Sequence, residues 1–300
     1  ILQNSDVVEI VDFEHEKIFE HALNYTGVYI FSNKSKDNII SIKKGLSGPE
    51  LKYPQKNLNE GLWIFRDDRI DHIISSIEKN PNIKPLGELT QSISEGIVSG
   101  LNDLYLLKND FISQNNFETI YFKKCLRGSN IRRYYLENIS EYIFYPYVDN
   151  KPIDEKTIAA NSPKYYSFLK ENKHKIMARD YFKKSSKQWY ELWNQRKISN
   201  FENEKIVVAE LSDRNRFMYD SENLFYGDTV CGFYLKPDSH ISLKYLLGLL
   251  NSSLIEWFYK QTTVPKANNF FIYKTMFLKS IPIKNIDLSN PTDKKAHDNI

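Results

Sequence analysis

A short basic stretch near the middle of the chain contains the residue types that bind nucleic acid. Between positions 123 and 133 there are five lysines and arginines and no acidic residue. Arginine grips phosphate bidentately or reads guanine O6 and N7, and short polar side chains reach base edges. We therefore predict contacts with DNA from Lys124, Arg127, Gly128, Ser129, Asn130, Arg132 and Arg133. The alternative interpretation is an exposed turn whose charged side chains are simply solvated.

A second basic block, over positions 173–197, has eight lysines and arginines against two acidic residues, with tryptophan and tyrosine between them. If the block is helical, cations about one turn apart share a face that suits a phosphate backbone, and a loose aromatic ring can stack on an unpaired base. The predicted contacts are Arg179, Lys183, Lys184, Lys187 and Trp189. The alternative places the tryptophan in the core and the lysines in solvent.

Two further polar segments are candidates for reading bases. The segment TTVPKANN follows an apolar helix, and asparagine amides pair bidentately with adenine N6 and N7, so it contributes Lys266, Asn268 and Asn269. The segment GIVSGLND is a glycine-rich turn without the Gly-Lys-Ser/Thr of a phosphate cradle, which argues against nucleotide binding. We expect this turn to position Asn102. Both segments are also compatible with ordinary turns.

The sequence gives little support for a catalytic or metal centre within this chain. The six histidines have no HExxH spacing, and two cysteines are too few for a zinc site or a disulfide framework. Cys125 and Cys231 are expected to be the reduced thiols of a cytoplasmic protein. Asp154, Glu171 and Lys173 have the spacing of a nuclease site, but that spacing is common by chance in lysine-rich chains. A mean hydropathy of −0.52 and the lack of a long apolar run exclude a membrane span.

The net charge of +3 is unevenly distributed, because positions 121–216 hold 20 lysines and arginines against 12 acidic residues. Such an excess indicates a localised anion-binding face.

The apolar patterns along the chain predict a mixture of strands and helices. The predicted strands are 7–11, 27–31, 38–42, 104–107, 141–148 and 205–210, with RFMYD and TVCGFYL as a further pair. The predicted helices are 14–24, 66–79, much of 162–197, and 243–258 with Ser242 as its N-cap.

Read in order, these segments resemble a known family. GIVSGLNDLYLL, KKCLRGSNIRRY, EYIFYPY, KIVVAE, YLLGLLNSSLIEWFY and LKSIPI are similar to the TaqI-like C-terminal specificity domain. That is the target recognition domain of adenine-specific DNA methyltransferases and of fused type II restriction-modification enzymes. The resemblance covers about 85–283. It implies an α+β fold, in which a mixed α/β recognition domain is preceded by the terminal strands of a Rossmann-type methyltransferase domain.

The resemblance also implies a domain organisation. Positions 1–42 would be the end of the methyltransferase domain, 43–84 a linker with one helix, 85–285 the recognition domain and 286–300 a polar tail. The family's Asn-Pro-Pro-Tyr/Phe loop and its glycine-rich loop for S-adenosylmethionine are both absent from the sequence. We therefore expect a fragment without cofactor. S-adenosylmethionine would be bound by the parent protein, together with magnesium where the parent is fused to a nuclease.

The implied function is DNA recognition. The chain would hold double-stranded DNA against the catalytic methyltransferase domain of the same parent and choose the sequence in which an adenine N6 is methylated. Two alternatives stay open from the residues themselves. One is a stand-alone metal-dependent nuclease that uses Asp154, Glu171 and Lys173. The other is a protein-interaction module of a phage-defence system, which would use the many exposed aromatic side chains.

Overall fold

A computed structural model describes residues 5–14, 16–21, 26–33, 38–58, 61 and 63–300 of the chain. Helices and strands are mixed along the chain, which confirms the predicted α+β fold. The chain divides into two compact units. The first comprises Ile1–Asn80 with Phe258–Phe270, and the second comprises Pro81–Trp257 with Phe271–Ile300. None of the helices in the described ranges is both long enough and apolar enough to cross a membrane.

The strands are short. In chain order they are β1 (Asp6–Asp12), β2 (Gly27–Ser32), β3 (Ile39–Lys44), β4 (Glu50–Pro54), β5 (Ile83–Pro85), β6 (Thr90–Glu95), β7 (Leu106–Lys108), β8 (Phe122–Leu126), β9 (Glu141–Phe144), β10 (Tyr147–Val148), β11 (Lys151–Pro152), β12 (Lys205–Ala209), β13 (Leu211–Ser212), β14 (Phe217–Asp220), β15 (Phe225–Tyr226), β16 (Val230–Leu235), β17 (Pro265–Lys266), β18 (Phe270–Ile272) and β19 (Pro282–Lys284).

The helices are mostly short as well. They are α1 (Asp68–Glu78), α2 (Leu86–Leu89), α3 (Asn102–Tyr105), α4 (Asn109–Gln114), α5 (Glu155–Asn161), α6 (Pro163–Glu171), α7 (Lys173–Met177), α8 (Asp180–Lys183), α9 (Ser199–Glu202), α10 (Leu243–Leu250), α11 (Ser253–Thr262), α12 (Thr275–Leu278) and α13 (Pro291–Asp298). Turns of 3₁₀ helix cover Gln55–Asn57, Gly128–Asn130 and Ala267–Asn269.

The first unit is built on a four-stranded sheet with the order β2-β1-β3-β4. Strand β1 runs parallel to β3, while the β1–β2 and β3–β4 pairs are antiparallel. Its small core is formed by Val7, Ile10, Ile40, Ile42 and Tyr53. The first three predicted strands and the helix predicted over 66–79 are all found. In addition, β4 lies within the segment 43–84, which was predicted to be a linker with one helix.

The helix predicted over 14–24 is not found in the described residues of that range. Glu14 has a φ of 51°, and its N–H donates to the Asp12 carboxylate, so the chain turns directly after β1. This Asx-type turn replaces the first helical turn with a local side-chain hydrogen bond. Position 15 and positions 22–25 lie outside the described residues.

The second unit has a buried antiparallel sheet with the order β14-β12-β16-β6. Every residue of β12 is buried, which explains why this run is almost wholly apolar. The two strands that were predicted to pair with each other instead flank β12. Val207 is paired with Met218 on one side and with Gly232 on the other. Strand β12 lies in the interior of the sheet, where it is paired along both edges and all of its residues are buried.

A second sheet, with the order β15-β8-β9-β7, packs into the same large aromatic core and leads into the basic stretch at the end of β8. The strand predicted at 104–107 begins as helix α3 and becomes β7 only at Leu106. The strand predicted over 141–148 is divided into β9 and β10.

The helix predicted over 243–258 is divided into α10 and α11. Ser242 is the N-cap as predicted, and its hydroxyl accepts the Tyr245 N–H at 3.1 Å. The interruption lies at Asn251, which is buried and whose amide exchanges two hydrogen bonds with the backbone of Phe217. The Asn251 side chain thus bonds the first residue of β14 as a neighbouring strand would, and α10 ends at Asn251.

Candidate nucleic-acid interface

The basic stretch forms a rigid turn after β8. The Asn130 side chain accepts the Arg127 backbone N–H at 2.7 Å and donates to the Asn138 carbonyl at 2.8 Å. The Gly128 N–H donates to the Thr229 hydroxyl at 3.0 Å. A Cβ at Gly128 would lie 2.8 Å from the Thr229 carbonyl oxygen, so glycine is needed for this close approach. Ser129 is exposed at the tip of the turn.

The arginines of the basic stretch have carboxylate neighbours that lie outside positions 123–133. The Arg127 guanidinium lies 3.9 Å from Glu141 and 3.7 Å from Asp228. Arg132 forms a fork with Glu137, with contacts of 3.0 and 2.6 Å. It also donates to the carbonyls of Ser129 and Ile131, so four of its five N–H groups are used within the turn.

Arg133 connects this turn to a loop more than 80 positions away. Its Nε donates to the Asn215 carbonyl at 3.3 Å, and its Nη2 donates to the Glu256 carboxylate at 3.1 Å. The same Glu256 oxygen accepts the Asn215 backbone N–H. The basic stretch and the loop at 213–216 therefore form one continuous surface of the second unit.

The loop at 213–216, which we call the arginine loop, was not singled out by the sequence analysis. Arg214 and Arg216 flank the fully buried Asn215, so both point outward from a fixed backbone. Asp213 lies 2.6 Å from Arg216 and 3.4 Å from Arg214. Burial alone would raise the pKa of the Asp213 carboxyl, but the two guanidinium groups outweigh it and the pKa is lowered. A signal was present, because the charged segment DRNR is separated by only three residues from the buried strand β12.

Two lysines border the turn on the β8 side. Lys123 and Lys124 are exposed and line a cleft of about 530 Å³ together with Phe225, Glu202 and Glu222. The Lys123 ammonium lies 6.0 Å from the centre of the Phe225 ring. Within the part of the chain that the structure describes, Lys124 has no ion-pair partner. These lysines are therefore available to an external anion, unlike the carboxylate-bound arginines.

The second basic block is only partly helical. Helix α8 ends at Lys183, and Arg179 and Lys184 are its two caps, so the regular helical face expected to join Arg179, Lys183 and Lys187 is not formed. The Ser185 hydroxyl and backbone N–H both donate to the Phe182 carbonyl, and this ends the helix. Lys183 and Lys184 are exposed, whereas Lys187 lies 3.9 Å from Glu191.

Trp189 packs in the core and does not present the loose stacking surface that was expected. Its side chain is buried, and its indole N–H donates to the Glu155 carboxylate at 3.0 Å. The Lys173 ammonium lies 4.8 Å from the centre of the Trp189 ring. Burial raises the pKa of Glu155, but hydrogen bonds from Tyr166 and Trp189 lower it further than burial raises it.

The remaining predicted contacts lie on turns. Asn102 is exposed at the start of α3, and its side chain accepts the Ser99 hydroxyl at 2.6 Å. Asn268 and Asn269 are exposed and have φ values of 60° and 57°, a left-handed conformation that asparagine tolerates. With the half-buried Lys266 they belong to the first unit, whereas the basic stretch and the arginine loop belong to the second.

The three candidate nuclease residues each have a structural contact. The Asp154 carboxylate caps α5 by accepting the Thr157 N–H at 3.0 Å, and hydrogen bonds from Thr157 lower the pKa of Asp154. Glu171 is the last residue of α6, and Lys173 lies over the Trp189 ring. Among the described residues, no group of three or more His, Cys, Asp or Glu side chains could hold a metal ion.

Comparison with known proteins identifies the class of this chain. Residues 123–283, more than half of the chain, match the family model of the TaqI-like C-terminal specificity domain. The chain belongs to this family, which confirms the resemblance recognised in the sequence. The matched range contains the basic stretch and the arginine loop. The chain therefore carries a specificity domain of the kind found in type II methyltransferases and restriction-modification enzymes.

Individual relatives agree with this assignment. The type II methyltransferase M.MjaIV of Methanocaldococcus jannaschii is 30% identical over 174 residues, which are 56% of this chain and 56% of that protein. The type II restriction enzyme and methyltransferase RM.Eco57I of Escherichia coli is 22% identical over 346 aligned residues, covering 99% of this chain and 34% of its own length. The chain thus spans between about a third and just over half of these relatives.

The fold has a counterpart among solved structures. The type IIL restriction-modification enzyme MmeI, whose structure was determined in complex with DNA, has a TM-score of 0.57 at 13% sequence identity. The similarity covers 98% of this chain and 36% of the MmeI chain. It shows that the two chains share a fold.

Proposed function

We propose that this chain is the DNA target recognition module of an S-adenosylmethionine-dependent N6-adenine methyltransferase or of a fused restriction-modification enzyme. The observation that carries the proposal is that Arg133 of the basic stretch hydrogen-bonds to the arginine loop, so that the two segments form one surface. The resulting surface presents arginines on fixed backbone, each oriented by a carboxylate. Such orientation suits bidentate reading of a base edge, whereas a flexible cation is sufficient to hold a phosphate.

In this proposal the two kinds of cation have different tasks. The exposed lysines, Lys123, Lys124 and Lys184, would attract the phosphate backbone and supply affinity that does not depend on sequence. Arg127, Arg133 and Arg216 would supply the choice of sequence, because their carboxylate partners limit the directions that the guanidinium plane can take. Arg132 would contribute mainly to the shape of the turn, with one N–H group left for DNA.

The residues of this chain do not fit the cofactors of the proposed parent. The sequence has neither the Asn-Pro-Pro-Tyr/Phe loop nor the glycine-rich loop expected for S-adenosylmethionine. The described residues contain no cluster of acidic, His or Cys side chains suited to magnesium. We therefore assign methyl transfer, and any DNA cleavage, to other parts of the whole protein.

The proposal predicts binding to duplex DNA that weakens steeply with salt. For each phosphate neutralised, the slope of log K against log salt should be about −0.9. Replacing Lys123 and Lys124 with glutamine removes two exposed cations, so the slope should become shallower by about 1.8. Fluorescence anisotropy with a labelled duplex of mixed sequence, measured between about 50 and 200 mM salt, gives both values.

A matched control uses two exposed lysines outside the proposed surface. The double variant Lys294→Gln and Lys295→Gln makes the same charge change on α13 and should leave the slope unchanged. An absence of duplex binding by the unmodified chain would contradict the proposed function. Binding to a protein partner that is insensitive to salt, without binding to DNA, would favour the interaction-module alternative.

The sheet of the first unit offers a surface for the catalytic portion of the whole protein. Strand β2 is at the edge of its sheet, and its residues Val28, Tyr29, Ile30 and Phe31 are all exposed. Alternate residues of a strand face opposite sides, so among the described residues neither face of β2 is covered, and β1 is the one strand paired with it. An apolar edge strand of this kind is expected to be covered by another part of the protein. We propose that the methyltransferase portion covers it.

This assignment predicts a difference in amide hydrogen exchange along β2. In the 300-residue chain these amides should exchange quickly, because the open edge leaves every second N–H without a strand partner. In a protein that includes the methyltransferase portion, β2 should become protected while β12 stays equally slow in both. Equal exchange of β2 in the two proteins would rule out β2 as the covered strand.

A further inference from the structure

A tyrosine stands at the tip of the hairpin that follows the basic stretch. Ile131 and Leu136 form an antiparallel bridge, and the Arg132 N–H donates to the Tyr135 carbonyl at 3.0 Å. Arg133 and Tyr134 are therefore the two central residues of a four-residue turn. Tyr134 has a φ of 73°, in the left-handed region of the backbone that residues other than glycine and asparagine rarely adopt.

Within the part of the chain that the structure describes, the Tyr134 side chain makes no hydrogen bond or ring contact that would favour a bulky residue at this position. Glycine is the residue that such a turn favours, because a Cβ in the left-handed region approaches the backbone too closely. Burial does not compensate, since the Tyr134 side chain is 54% exposed. The Tyr134 N–H donates to the Phe217 carbonyl at 3.1 Å, a bond that any residue except proline would make. The phenol ring is therefore carried on a backbone conformation that disfavours it, with about half of its surface exposed.

The position of the ring suggests what it contacts. It follows Arg133 in the chain, and its backbone is bonded to Phe217, the residue directly after Arg216 of the arginine loop. An exposed aromatic ring among oriented arginines matches the two chemical features of a nucleobase, which are a polar edge and an apolar π face. Backbone strain that the fold maintains without local benefit is typical of positions that act on a ligand.

We infer that Tyr134 stacks on the face of a base in the bound DNA, at a point where base stacking is opened. This inference rests on the proposed function. The hairpin holds the ring outward at low entropic cost, because a tyrosine side chain has only two main torsions to fix. A base is accessible to such a ring where the duplex is mispaired or where a neighbouring base is displaced.

The test compares two duplexes that differ only in one mismatched base pair, using the complete chain. The unmodified chain should bind the mismatched duplex more tightly than the fully paired one. Tyr134→Gly should weaken binding to the mismatched duplex by about 5- to 100-fold, the range expected for one base–aromatic stack, and should abolish the preference. Tyr134→Phe keeps the ring and should retain it.

Thermal unfolding separates this role from a structural one. Because glycine suits the left-handed backbone, Tyr134→Gly should leave the melting temperature unchanged or raise it by a few degrees. Tyr135→Ala is the matched control, since Tyr135 is equally exposed but is not left-handed, and it should keep the mismatch preference. A lower melting temperature for Tyr134→Gly, an unchanged preference, or an equal loss in Tyr135→Ala would each overturn the inference. A chain that binds neither duplex would instead overturn the proposed function itself, and the inference with it.

Discussion

Replacing Lys205 with methionine should lower the free energy of unfolding by about 3–5 kcal/mol, because the change leaves an unpaired charge in the core. Lys205 is completely buried at the start of β12, and its ammonium lies 2.6 Å from the Asp220 carboxylate on β14. It also donates to the Phe201 carbonyl at 2.7 Å. Burial lowers the pKa of Lys205, and the neighbouring Asp220 carboxylate opposes this effect in part. Denaturant unfolding of the purified variant measures the loss.

A second variant identifies the cause of this loss. Asp220 also accepts the backbone N–H groups of Glu222 and Leu224, which form the turn after β14. The double variant Lys205→Met and Asp220→Asn keeps an oxygen acceptor for this turn but removes the buried charge. It should recover much of the stability, because replacing both members of a buried pair costs far less than removing one.

An exposed ion pair of the same unit gives a reference value with which the cost of Lys205→Met can be compared. Lys274 and Glu210 lie 3.0 Å apart, with their side chains 41% and 29% exposed. Lys274→Met should therefore cost only about 0–1 kcal/mol, the usual value for a surface pair. If Lys205→Met costs no more than Lys274→Met, the Lys205–Asp220 pair does not have the role in the core that its burial indicates.

Local patterns in the sequence were sufficient to predict those strands and helix ends that depend only on neighbouring residues. The apolar run at 205–209 predicts a fully buried strand, and Ser242 followed by an apolar stripe predicts a capped helix start. Both are observed. The order of strands within the sheet was not predictable in this way. It depends on which of three adjacent apolar strands gains most from the central position, and that is a property of the whole core.

The break between α10 and α11 illustrates the same limit. Asparagine inside an apolar helical pattern is only mildly unfavourable, so the sequence predicts one continuous helix. The helix ends because Asn251 finds the backbone of Phe217, which is 34 positions away in the chain. A side chain that satisfies a distant strand cannot be recognised from its own neighbours.

The candidate site was predictable in part for the same reason. The motif LRGSNIRR was recognisable as a basic turn, because its residue types are contiguous in the sequence. The carboxylates that orient its arginines come from Glu137, Glu141, Asp228 and Glu256, and only Glu137 is close in sequence to the arginine that it binds. Charge counting treats each arginine as free, whereas the fold supplies a partner. The sequence alone therefore predicts a general phosphate-binding patch, whereas the structure shows arginine side chains that are oriented by carboxylates.

Asn215 is the residue through which the core fixes the arginine loop, and replacing it with alanine should affect both stability and recognition. Its side-chain amide donates to the Leu250 carbonyl at 2.6 Å, which satisfies the C-terminal end of α10. Its side-chain oxygen accepts the Tyr273 hydroxyl at 2.9 Å. Asn215→Ala removes both of these buried hydrogen bonds, so the free energy of unfolding should fall by about 2–4 kcal/mol.

A variant of Tyr273, the hydrogen-bond partner of Asn215, provides a control for the predicted loss of stability. Tyr273 is completely buried, and burial raises the pKa of its hydroxyl, so this group stays a donor over the accessible pH range. The double variant Asn215→Ala and Tyr273→Phe removes the Tyr273 hydroxyl together with its Asn215 acceptor. It should be less destabilised than the sum of the two single variants. Additive effects would show that the Asn215–Tyr273 bond contributes nothing of its own.

The effect on recognition follows from the loss of a fixed backbone. Without the Asn215 side chain, Arg214 and Arg216 keep their charge but lose the anchor between them. Nonspecific affinity for duplex DNA should therefore change little, whereas the preference for the recognised sequence over other sequences should fall by about tenfold, or 1.4 kcal/mol. Selection of bound duplexes from a random-sequence library, performed below the unfolding temperature of the variant, measures this ratio. An equal fall in both affinities would mean that the arginine loop contributes charge rather than orientation, because only orientation distinguishes one base edge from another.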